Sequence, residues 1–312
     1  MKSNALQSCP VSERYLLIVN PAGGSGRTME ALPEIEQEFR RRNMAYAFHF
    51  TTKPMHAVEL ARELAGQFDV VVAVGGDGTI NEIINGLPEF SKPFGFIPIG
   101  TGNDFARSCC VPHDSISEAI DILQKHDVKK IDVGVINGRR FVNVVGLGFE
   151  GQASATGLKL AFIKGPVKYL LAIAWTLIFY KRIPMKIVTD DQTIEDDIYL
   201  VSIGNGWNVG GGLQLTPKAR LEDNVFDICI IRNISRWRVS TNFNRLTNGT
   251  IDSLEEVEII QSKTIDIQSP KQLPLHLDGE QLAGDRSHIT VTLLENEQQV
   301  IGNWSAPAYA NR

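Results

Sequence analysis

The chain has 312 residues, of which 43% are hydrophobic and 21% charged, and its formal net charge is −5. This length suffices for two domains, and the composition is typical of a soluble globular protein. A nucleic-acid partner is not expected, because no basic excess is available to neutralise phosphates. The four cysteines show neither metal-ligand spacing nor a disulfide framework, which predicts reduced thiols in the cytosol.

No segment is predicted to cross a membrane. The N-terminus lacks the basic region and apolar stretch of a signal peptide. The most apolar window, residues 169–180, is twelve residues long, whereas a spanning helix needs roughly 20. We therefore expect a buried or interfacial helix at this window, and a cytoplasmic protein.

The first 125 residues alternate between predicted strands and helices. Strands are expected at 14–19, 45–50, 70–74 and 94–99, with helices around 30–42 and 56–66 and after the third and fourth strands. This alternation implies right-handed crossovers and an open, mostly parallel sheet. Ligands bind such sheets at the carboxyl ends of the strands. Polar loops follow all four strands at these ends, at 20–27, 51–52, 75–79 and 100–104.

The third strand and its loop carry the most information. Residues 70–74 are all apolar, which fits a strand buried on both faces. The sequence GGDG at 75–78 permits a sharp turn and a close approach of a ligand to the main chain. Thr79 and Glu82 stand at capping-box spacing at the start of a helix. The helix N-terminus would bind phosphate, and Asp77 predicts a divalent metal beside it. A tight turn in which Asp77 only caps the helix is the alternative.

After about residue 130 the pattern changes to many short strands. An Asn-Gly turn at 137–138 predicts a hairpin between strands at 132–136 and 140–145. Further strands are expected at 185–189, 196–204, 225–231, 256–260, 264–268, 273–277 and 288–294. This pattern indicates an antiparallel β-sandwich with helices near 153–182 and 235–247, the latter capped by Ser235. We expect an α/β domain at 1–130, which residues 298–312 could rejoin, and a sandwich domain at 131–297.

Two motifs stand out together, GGDGTINEIINGL at 75–87 and PIGTGNDFAR at 98–107. With both, the chain resembles the diacylglycerol kinase-like lipid kinases, which include soluble bacterial diacylglycerol kinases and, more distantly, sphingosine and ceramide kinases. The resemblance extends over most of the chain, through NPAGGSGR at 20–27, NVVGLGFEG at 143–151 and HLDGEQL at 276–282. GGDGT alone would also fit NAD kinases and phosphofructokinases. The family fold is a nucleotide-binding α/β domain followed by a β-sandwich domain.

The resemblance implies ATP and Mg²⁺ as cofactors and assigns roles to individual residues. Asp77 would help hold the catalytic magnesium, Asp278 and Glu280 would face the cleft, and Glu280 would be the general base, although the sequence does not decide between these last two. Without the resemblance, Asp-Gly-Glu at 278–280 is commonly only a β-turn. The nucleotide-binding positions implied are Asn20, Pro21, Gly23, Gly24, Thr51, Gly75, Gly76, Asp77, Gly78, Thr79, Ile80, Asn81, Thr101, Gly102 and Asn103.

The family also has a structural magnesium near a Leu-Asp-Asp-Gly stretch. Here the resemblance implies Asp223 as the side-chain ligand, with the carbonyls of Arg220 and Val225 beside it. The sequence departs from the pattern at Glu222, which replaces an Asp, and at Asn224, which replaces a Gly. Asn tolerates a left-handed conformation best among non-glycine residues, so the turn can survive. An ordinary acidic turn is the alternative.

The resemblance implies an ATP-dependent lipid kinase acting peripherally at the inner face of a membrane, with diacylglycerol as the first candidate acceptor. Phosphatidylglycerol, a sphingoid base, an NAD kinase activity and a catalytically silent nucleotide- or lipid-binding regulator are the alternatives. A loss of catalytic activity has no support in the sequence, because the expected carboxylates are all present, namely Asp77, Asp104, Asp278 and Glu280. Residues 159–182 could rest on an anionic membrane or form a core helix with snorkelling lysines, and both readings stay open. A homodimer also stays open.

Overall fold

The computed structural model describes residues 13–87, 92–160, 167–282 and 284–310, with the backbone alone for 167–170. In these ranges the helices are α1 (Arg27–Arg41), α2 (His56–Leu64), α3 (Asp77–Gly86), α4 (Asp104–Ser108), α5 (Ile116–Lys125), α6 (Phe149–Lys159), α7 (Val167–Phe179), α8 (Arg236–Thr241), α9 (Phe243–Thr247) and α10 (Pro307–Ala310). The strands are β1 (Arg14–Val19), β2 (Ala45–Phe50), β3 (Val70–Gly75), β4 (Phe94–Pro98), β5 (Val128–Ile136), β6 (Arg139–Phe141), β7 (Val144–Gly148), β8 (Ile183–Thr189), β9 (Thr193–Ile198), β10 (Leu200–Gly204), β11 (Phe226–Ile231), β12 (Val257–Ser262), β13 (Thr264–Gln268), β14 (Leu275–Leu277), β15 (Glu280–Gln281) and β16 (His288–Ile301).

The N-terminal part is the predicted parallel sheet, in the strand order β2-β1-β3-β4. Every residue of β3 is buried, because helices cover both faces of the sheet. Ile35 of α1 and Ile120 of α5 pack in the core on one face, and Ala61 of α2 and Ile83 of α3 pack in the core on the other. The carboxyl ends of the four strands therefore meet at one edge.

Strand β16 continues this sheet into its antiparallel part. Val300 pairs in parallel with Phe94 of β4, while the rest of β16 pairs antiparallel with β5 and β13. The order then runs β16-β13-β8-β9, and a second, antiparallel sheet has the order β12-β11-β10-β7-β14-β15. A common apolar core lies between the two antiparallel sheets. The predicted fold class, a mostly parallel α/β part followed by a β-sandwich, is confirmed.

Two predicted strands each prove to be a pair of strands that lie in different sheets. The hairpin at Asn137-Gly138 is present, with φ angles of 47° and 80° and Ile136 paired with Arg139. However, the predicted strand 140–145 divides into β6 in the first sheet and β7 in the second. The predicted strand 196–204 divides in the same way into β9 and β10. A sequence pattern does not reveal such a change of sheet, because both pieces are extended and no Gly or Pro separates them.

The predicted capping box of α3 is wrong. The helix begins at Asp77, one turn earlier than expected, with Gly76 as its N-cap. The carboxylate of Glu82 instead accepts hydrogen bonds from the backbone N–H groups of Met55 (3.0 Å) and Ala57 (3.1 Å). Glu82 thus caps the neighbouring helix α2, which no side chain of its own caps.

The predicted helical regions of the second half are each divided. The segment 153–182 contains α6 and α7, and 235–247 contains α8 and α9, where the Ser235 hydroxyl accepts from the Arg238 N–H at 3.2 Å as predicted. Within the described ranges no helix combines the length and the apolar content that crossing a bilayer requires. Near the C-terminus, Trp304 and Tyr309 pack into the core that contains Phe94. The domain boundaries near 130 and 298 stay predictions.

Candidate active site

The polar loops at the carboxyl edge of the parallel sheet touch one another through their backbones. A Cβ atom added to Gly76 would lie 2.9 Å from the Gly100 Cα, and one added to Gly24 would lie 2.2 Å from the Ile99 carbonyl oxygen. The Arg27 guanidinium donates to the Gly100 carbonyl at 2.8 Å. Glycine is therefore required at 24 and 76 because no side chain fits between these loops.

The N-terminus of α3 presents its first amides to the cleft. Gly76 has no side chain that could cap them, so the first turn keeps donors available for an anion. Asn20 and Thr79 fix this turn against the loop after β1, because the Asn20 side-chain amide donates to the Thr79 hydroxyl at 3.1 Å. The Asn20 carbonyl accepts from the Gly23 N–H at 3.0 Å. This geometry suits a phosphate group.

Asp77 and Asp104 form a half-buried pair of carboxylates beside this turn. Asp77 accepts from the Phe105 N–H at 3.1 Å, and Asp104 accepts from the N–H groups of Gly211 (2.8 Å) and Gly212 (3.0 Å). Burial and the charge of Asp104 raise the pKa of Asp77 to about 7. Burial likewise raises the pKa of Asp104. Two carboxylates in one poorly solvated place leave negative charge that a bound cation could neutralise.

This donor set fits a hard divalent cation. Mg²⁺ usually binds one or two carboxylates together with substrate phosphates and waters. Across the residues that the structure describes, no three His, Cys, Asp or Glu side chains come together at metal-binding spacing. Asp77 and Asp104 would therefore hold the ion jointly with the phosphates of a nucleotide. Bound there, the ion would neutralise charge on phosphate oxygens.

Asp278 is held by backbone amides of the second sheet. Asp278 and Gly279 have φ angles of 47° and 87° and form the two-residue turn between β14 and β15. The Asp278 carboxylate accepts from the N–H groups of Val142 (3.1 Å), Asn143 (3.1 Å) and Val144 (3.0 Å). It also accepts from the buried side-chain amide of Asn81 in α3 at 3.0 Å, a contact that joins the two parts of the chain. These bonds use both oxygens and fix the point where the chain passes from β6 to β7.

Glu280 lies over the first turn of α3, although it belongs to β15. A Cβ added to Gly78 would lie 2.4 Å from the Glu280 Oε1. Arg139 donates to the other carboxylate oxygen, Oε2, at 2.8 Å and to the Asn81 side-chain oxygen, also at 2.8 Å. The side chain of Glu280 remains 39% exposed. One carboxylate oxygen is thus fixed while the other points at the turn that would bind phosphate.

An apolar cavity of about 190 Å³ opens from these carboxylates into the second part of the chain. Its polar wall includes Asp77, Asp104 and Asp278. The rest is mainly apolar and comes from α6, α7, α8, α9 and the second sheet, including Ala153, Ile173, Leu215, Val239, Phe243 and Leu246. The apolar lining would suit a hydrocarbon chain whose polar end lies beside the carboxylates.

A buried His–Glu pair forms part of the same wall. The Gly279 N–H donates to the His276 Nδ1 at 3.2 Å, so the ring proton is on Nε2, which donates to the Glu150 Oε1 at 2.8 Å. Both side chains are almost fully buried. No metal-ligand spacing or other local pattern singles out His276 in the sequence. The structure shows that it supports the turn of Asp278 and Gly279.

The other predicted nucleotide positions lie around the same edge. Pro21, Gly23 and Thr51 follow β1 and β2, while Thr101, Gly102 and Asn103 follow β4. Asn103 is left-handed (φ 53°), and its side-chain oxygen accepts from the Gly100 N–H at 2.7 Å, which shapes the loop. Ile80 differs from the rest: its side chain is in the core, and its N–H donates to the Gly76 carbonyl.

The predicted second metal site lies apart from this cleft, in the loop before β11. Asn224 is left-handed (φ 63°), as its replacement of glycine requires. Burial and the charges of Asp227 and Asp132 raise the pKa of Asp223 to about 6. Glu222 is engaged elsewhere, with Lys129 and Tyr309. Asp223 lies near the acidic residues Asp132 and Asp227, and the site at Asp223, Arg220 and Val225 stays a prediction.

Sequence patterns could not identify Arg139 as part of the cleft. It follows an Asn-Gly turn, where a basic residue normally faces solvent, and its partner Glu280 is 141 positions away. The partners of Asp104 at Gly211 and Gly212 were similarly hidden, although the run of three glycines at 210–212 was a signal of close backbone approach.

Both parts of the chain match described protein families. Residues 14–136 match the family described as the diacylglycerol kinase catalytic domain. Residues 143–292 match the YegS C-terminal NAD kinase beta sandwich-like domain.

Individual relatives cover most of the chain. A Bacillus subtilis protein named diacylglycerol kinase is 32% identical over 277 residues, which is 86% of this chain and 90% of that protein. One from Staphylococcus saprophyticus with the same name is 31% identical over 274 residues, 86% of this chain and 89% of that protein. A crystal structure of a Bacillus anthracis diacylglycerol kinase superposes with a TM-score of 0.69 at 26% identity, covering 95% of this chain and 99% of that one. The chain therefore belongs to the diacylglycerol kinase family and is a kinase.

Proposed function

We propose that the protein transfers the γ-phosphoryl group of ATP to the hydroxyl group of diacylglycerol, in the presence of Mg²⁺, to give phosphatidic acid and ADP. One observation carries this proposal. The apolar cavity meets the carboxylates Asp77, Asp104 and Asp278 at the place where the amides of α3 can bind phosphate. A lipid hydroxyl and a nucleotide phosphate would therefore meet at one point.

The nucleotide side is supplied by the carboxyl edge of the parallel sheet. The amides at 75–79 and the loop at 20–24 would bind the phosphates, while Thr51 and Thr101 would contact the nucleotide from neighbouring loops. Phosphoryl transfer needs positioning and charge neutralisation more than covalent chemistry from the protein. Rigid loops that hold each other through backbone contacts supply the positioning.

On the acceptor side, we assign the general base to Glu280. The Asp278 carboxylate is occupied by four hydrogen bonds, whereas Glu280 keeps one oxygen towards the first turn of α3. The hydroxyl proton of the lipid would pass to Glu280 while the hydroxyl oxygen of the lipid forms a bond to the γ-phosphorus. The bond between the γ-phosphorus and the departing oxygen of ADP would break at the same time. Arg139 would hold the base in place.

The test is transfer of label from γ-labelled ATP to a panel of acceptors in mixed micelles with Mg²⁺. The panel contains diacylglycerol, monoacylglycerol, phosphatidylglycerol, ceramide and sphingosine, with NAD as a soluble control. We expect label in diacylglycerol first. Label chiefly in another lipid would show that this lipid is the acceptor instead. Label in NAD alone would contradict the proposal that the protein is a lipid kinase.

Two variants separate chemistry from folding in this assay. Glu280→Gln keeps the size of the side chain and the contact with Arg139 but cannot accept the proton, so we expect turnover to fall by about 10²–10⁴-fold. Glu297→Gln, at a position outside the cleft, is the control. Full activity of Glu280→Gln would remove Glu280 as the base.

A further inference from the structure

Helix α7 has two different faces. Ala172 and Thr176 are buried against α6, where the Thr176 hydroxyl donates to the Thr156 hydroxyl at 3.3 Å, and Ala172 lines the apolar cavity. Trp175 (59% exposed) and Phe179 (60% exposed) point outwards, with ring centroids 4.7 Å apart. Leu171 and Ile178 lie exposed on the same face. A core helix with snorkelling lysines would bury this face, so the structure disfavours that reading of 159–182.

Basic side chains border this exposed face. Lys159, Trp175, Phe179 and Lys181 surround one surface hollow between α6 and α7. Lys181 also belongs to a second hollow, which continues through Arg182 to Arg236 at the start of α8. Trp237, the next residue, is 76% exposed. The aromatic groups and the cations therefore form one continuous surface.

Among the residues that the structure describes, none of the four cations of this surface makes a salt bridge, and these are Lys159, Lys181, Arg182 and Arg236. Asp197 is the acidic residue in the second hollow. The sequence has no Asp or Glu between 151 and 189 or between 228 and 251, although the whole chain carries a net charge of −5. The basic charge is thus concentrated here.

We propose that this surface docks the protein on an anionic lipid bilayer. The docking face is defined by Trp175, Phe179, Trp237, Lys159, Lys181 and Arg182. Aromatic rings at the headgroup level, with basic residues around them, are the features of an interfacial membrane site. The proposal rests on the proposed function only in taking the acceptor from a bilayer, and binding can be measured without turnover.

The position of the docking face explains its connection with the acceptor. The inner side of α7 contributes Ala172 and Ile173 to the cavity, and the neighbouring helices α8 and α9 contribute Val239 and Phe243. The outer sides of α7 and α8 carry Trp175 and Trp237. The same helices would thus contact the bilayer on one side and the acyl chain of the acceptor on the other.

The charge of the docking face favours a bilayer over a second copy of the chain. A two-fold dimer places the same patch of both subunits in contact. Lys181 and Arg182 of one copy would then approach the like charges of the other, which is unfavourable. An anionic bilayer is instead complementary in charge.

The experiment is sedimentation of the full chain with vesicles of phosphatidylcholine alone or with 30 mol% phosphatidylglycerol. We expect binding to the anionic vesicles that weakens with salt. Each near-surface cation contributes about fivefold to the partition coefficient. Lys181→Glu/Arg182→Glu should therefore lose at least about 25-fold, and Trp175→Ala/Phe179→Ala at least about tenfold. Lys130→Glu/Lys271→Glu and Met29→Ala, exposed elsewhere, are the matched controls.

A spectroscopic measurement locates the contact. Trp207 and Trp304 are buried at 3% and 8% exposure, so brominated lipids should quench mainly Trp175 and Trp237. Trp175→Phe/Trp237→Phe should lose this quenching. The proposal would be overturned if the docking variants bound vesicles as well as the controls do. It would also be overturned if the protein formed a dimer that Trp175→Ala/Phe179→Ala dissociated in the absence of vesicles.

Turnover distinguishes this proposal from the proposed function. The docking variants should keep wild-type turnover on a short-chain, water-soluble diacylglycerol and lose it on vesicles. Asp77→Asn should lose turnover on both but still bind vesicles. Binding without turnover on any acceptor would contradict the kinase proposal and leave the docking face supported. If the docking variants turned over diacylglycerol in vesicles as fast as the wild type, the kinase proposal would be supported and the docking face contradicted.

Discussion

At the scale of single residues, Asp77 and Asp104 show a conflict between stability and function. Both carboxylates are held in a poorly solvated cleft, and burial raises the pKa of each. In the metal-free protein their ionised forms therefore oppose folding. A site that favours a cation and a phosphate has this property before the ligands bind.

Asp77→Asn should accordingly abolish turnover but stabilise the metal-free protein. Asn keeps an oxygen for the Phe105 N–H and removes a charge, so we expect the free energy of unfolding in EDTA to rise by about 1–2 kcal/mol at pH 8. Because the pKa of Asp77 is raised in the folded protein, the free energy of unfolding of the wild type should rise as the pH falls from 8 to 6. The variant should gain less stability over this range. Thermal unfolding in EDTA measures both effects. A less stable Asp77→Asn would show that Asp77 is structural.

Arg139 should matter for positioning. Arg139→Ala leaves Glu280 and the Asn81 oxygen without their shared donor, so we expect kcat to fall by about 10–100-fold while KM for ATP is unchanged. Arg139→Lys should recover activity only partly, because an ammonium group cannot form the same fork. Steady-state kinetics in which KM for ATP changes and kcat does not would instead place Arg139 at the nucleotide.

Residues of this kind mark the limit of prediction from the sequence. Asp77 could be assigned because it stands among three glycines, between a buried strand and the start of a helix. The contacts of Asp278 with Asn81 and of Glu280 with Arg139 span 197 and 141 positions. No local pattern encodes such pairs, so the sequence alone gave these carboxylates a role only through resemblance.

At the scale of elements, the parallel strands were predictable because burial on both faces leaves an uninterrupted apolar run. The strand pairs β6–β7 and β9–β10 were not, since both pieces of each pair are extended and no Gly or Pro separates them in the sequence. The start of α3 was misplaced because Thr79 and Glu82 fit a capping box, whereas Glu82 caps α2 instead.

The cap of α2 by Glu82 can be tested directly. Glu82→Ala removes the acceptor of two N–H groups at the start of α2, so the free energy of unfolding should fall by about 1 kcal/mol. Glu63→Ala, on the exposed side of α2, is the control and should change it little. Urea unfolding measures the difference, and equal midpoints would mean that water replaces the cap.

At the scale of the whole molecule, the cleft requires both parts of the chain. Strand β16 runs through both halves of the first sheet, and the bond between Asn81 and Asp278 joins α3 to the second sheet. The turn that we propose for phosphate binding comes from one part, and most of the apolar wall of the cavity comes from the other. The central claim is therefore that a lipid acceptor occupies this cavity.

The most direct test of this claim fills the cavity from α6. Ala153 lines the cavity, whereas Ala155, on the same helix, does not. We expect Ala153→Phe to raise KM for a long-chain diacylglycerol about tenfold, with KM for ATP unchanged, and Ala155→Phe to behave as the wild type. If the three active proteins share one KM for the lipid, the acyl chain binds elsewhere and the account is wrong.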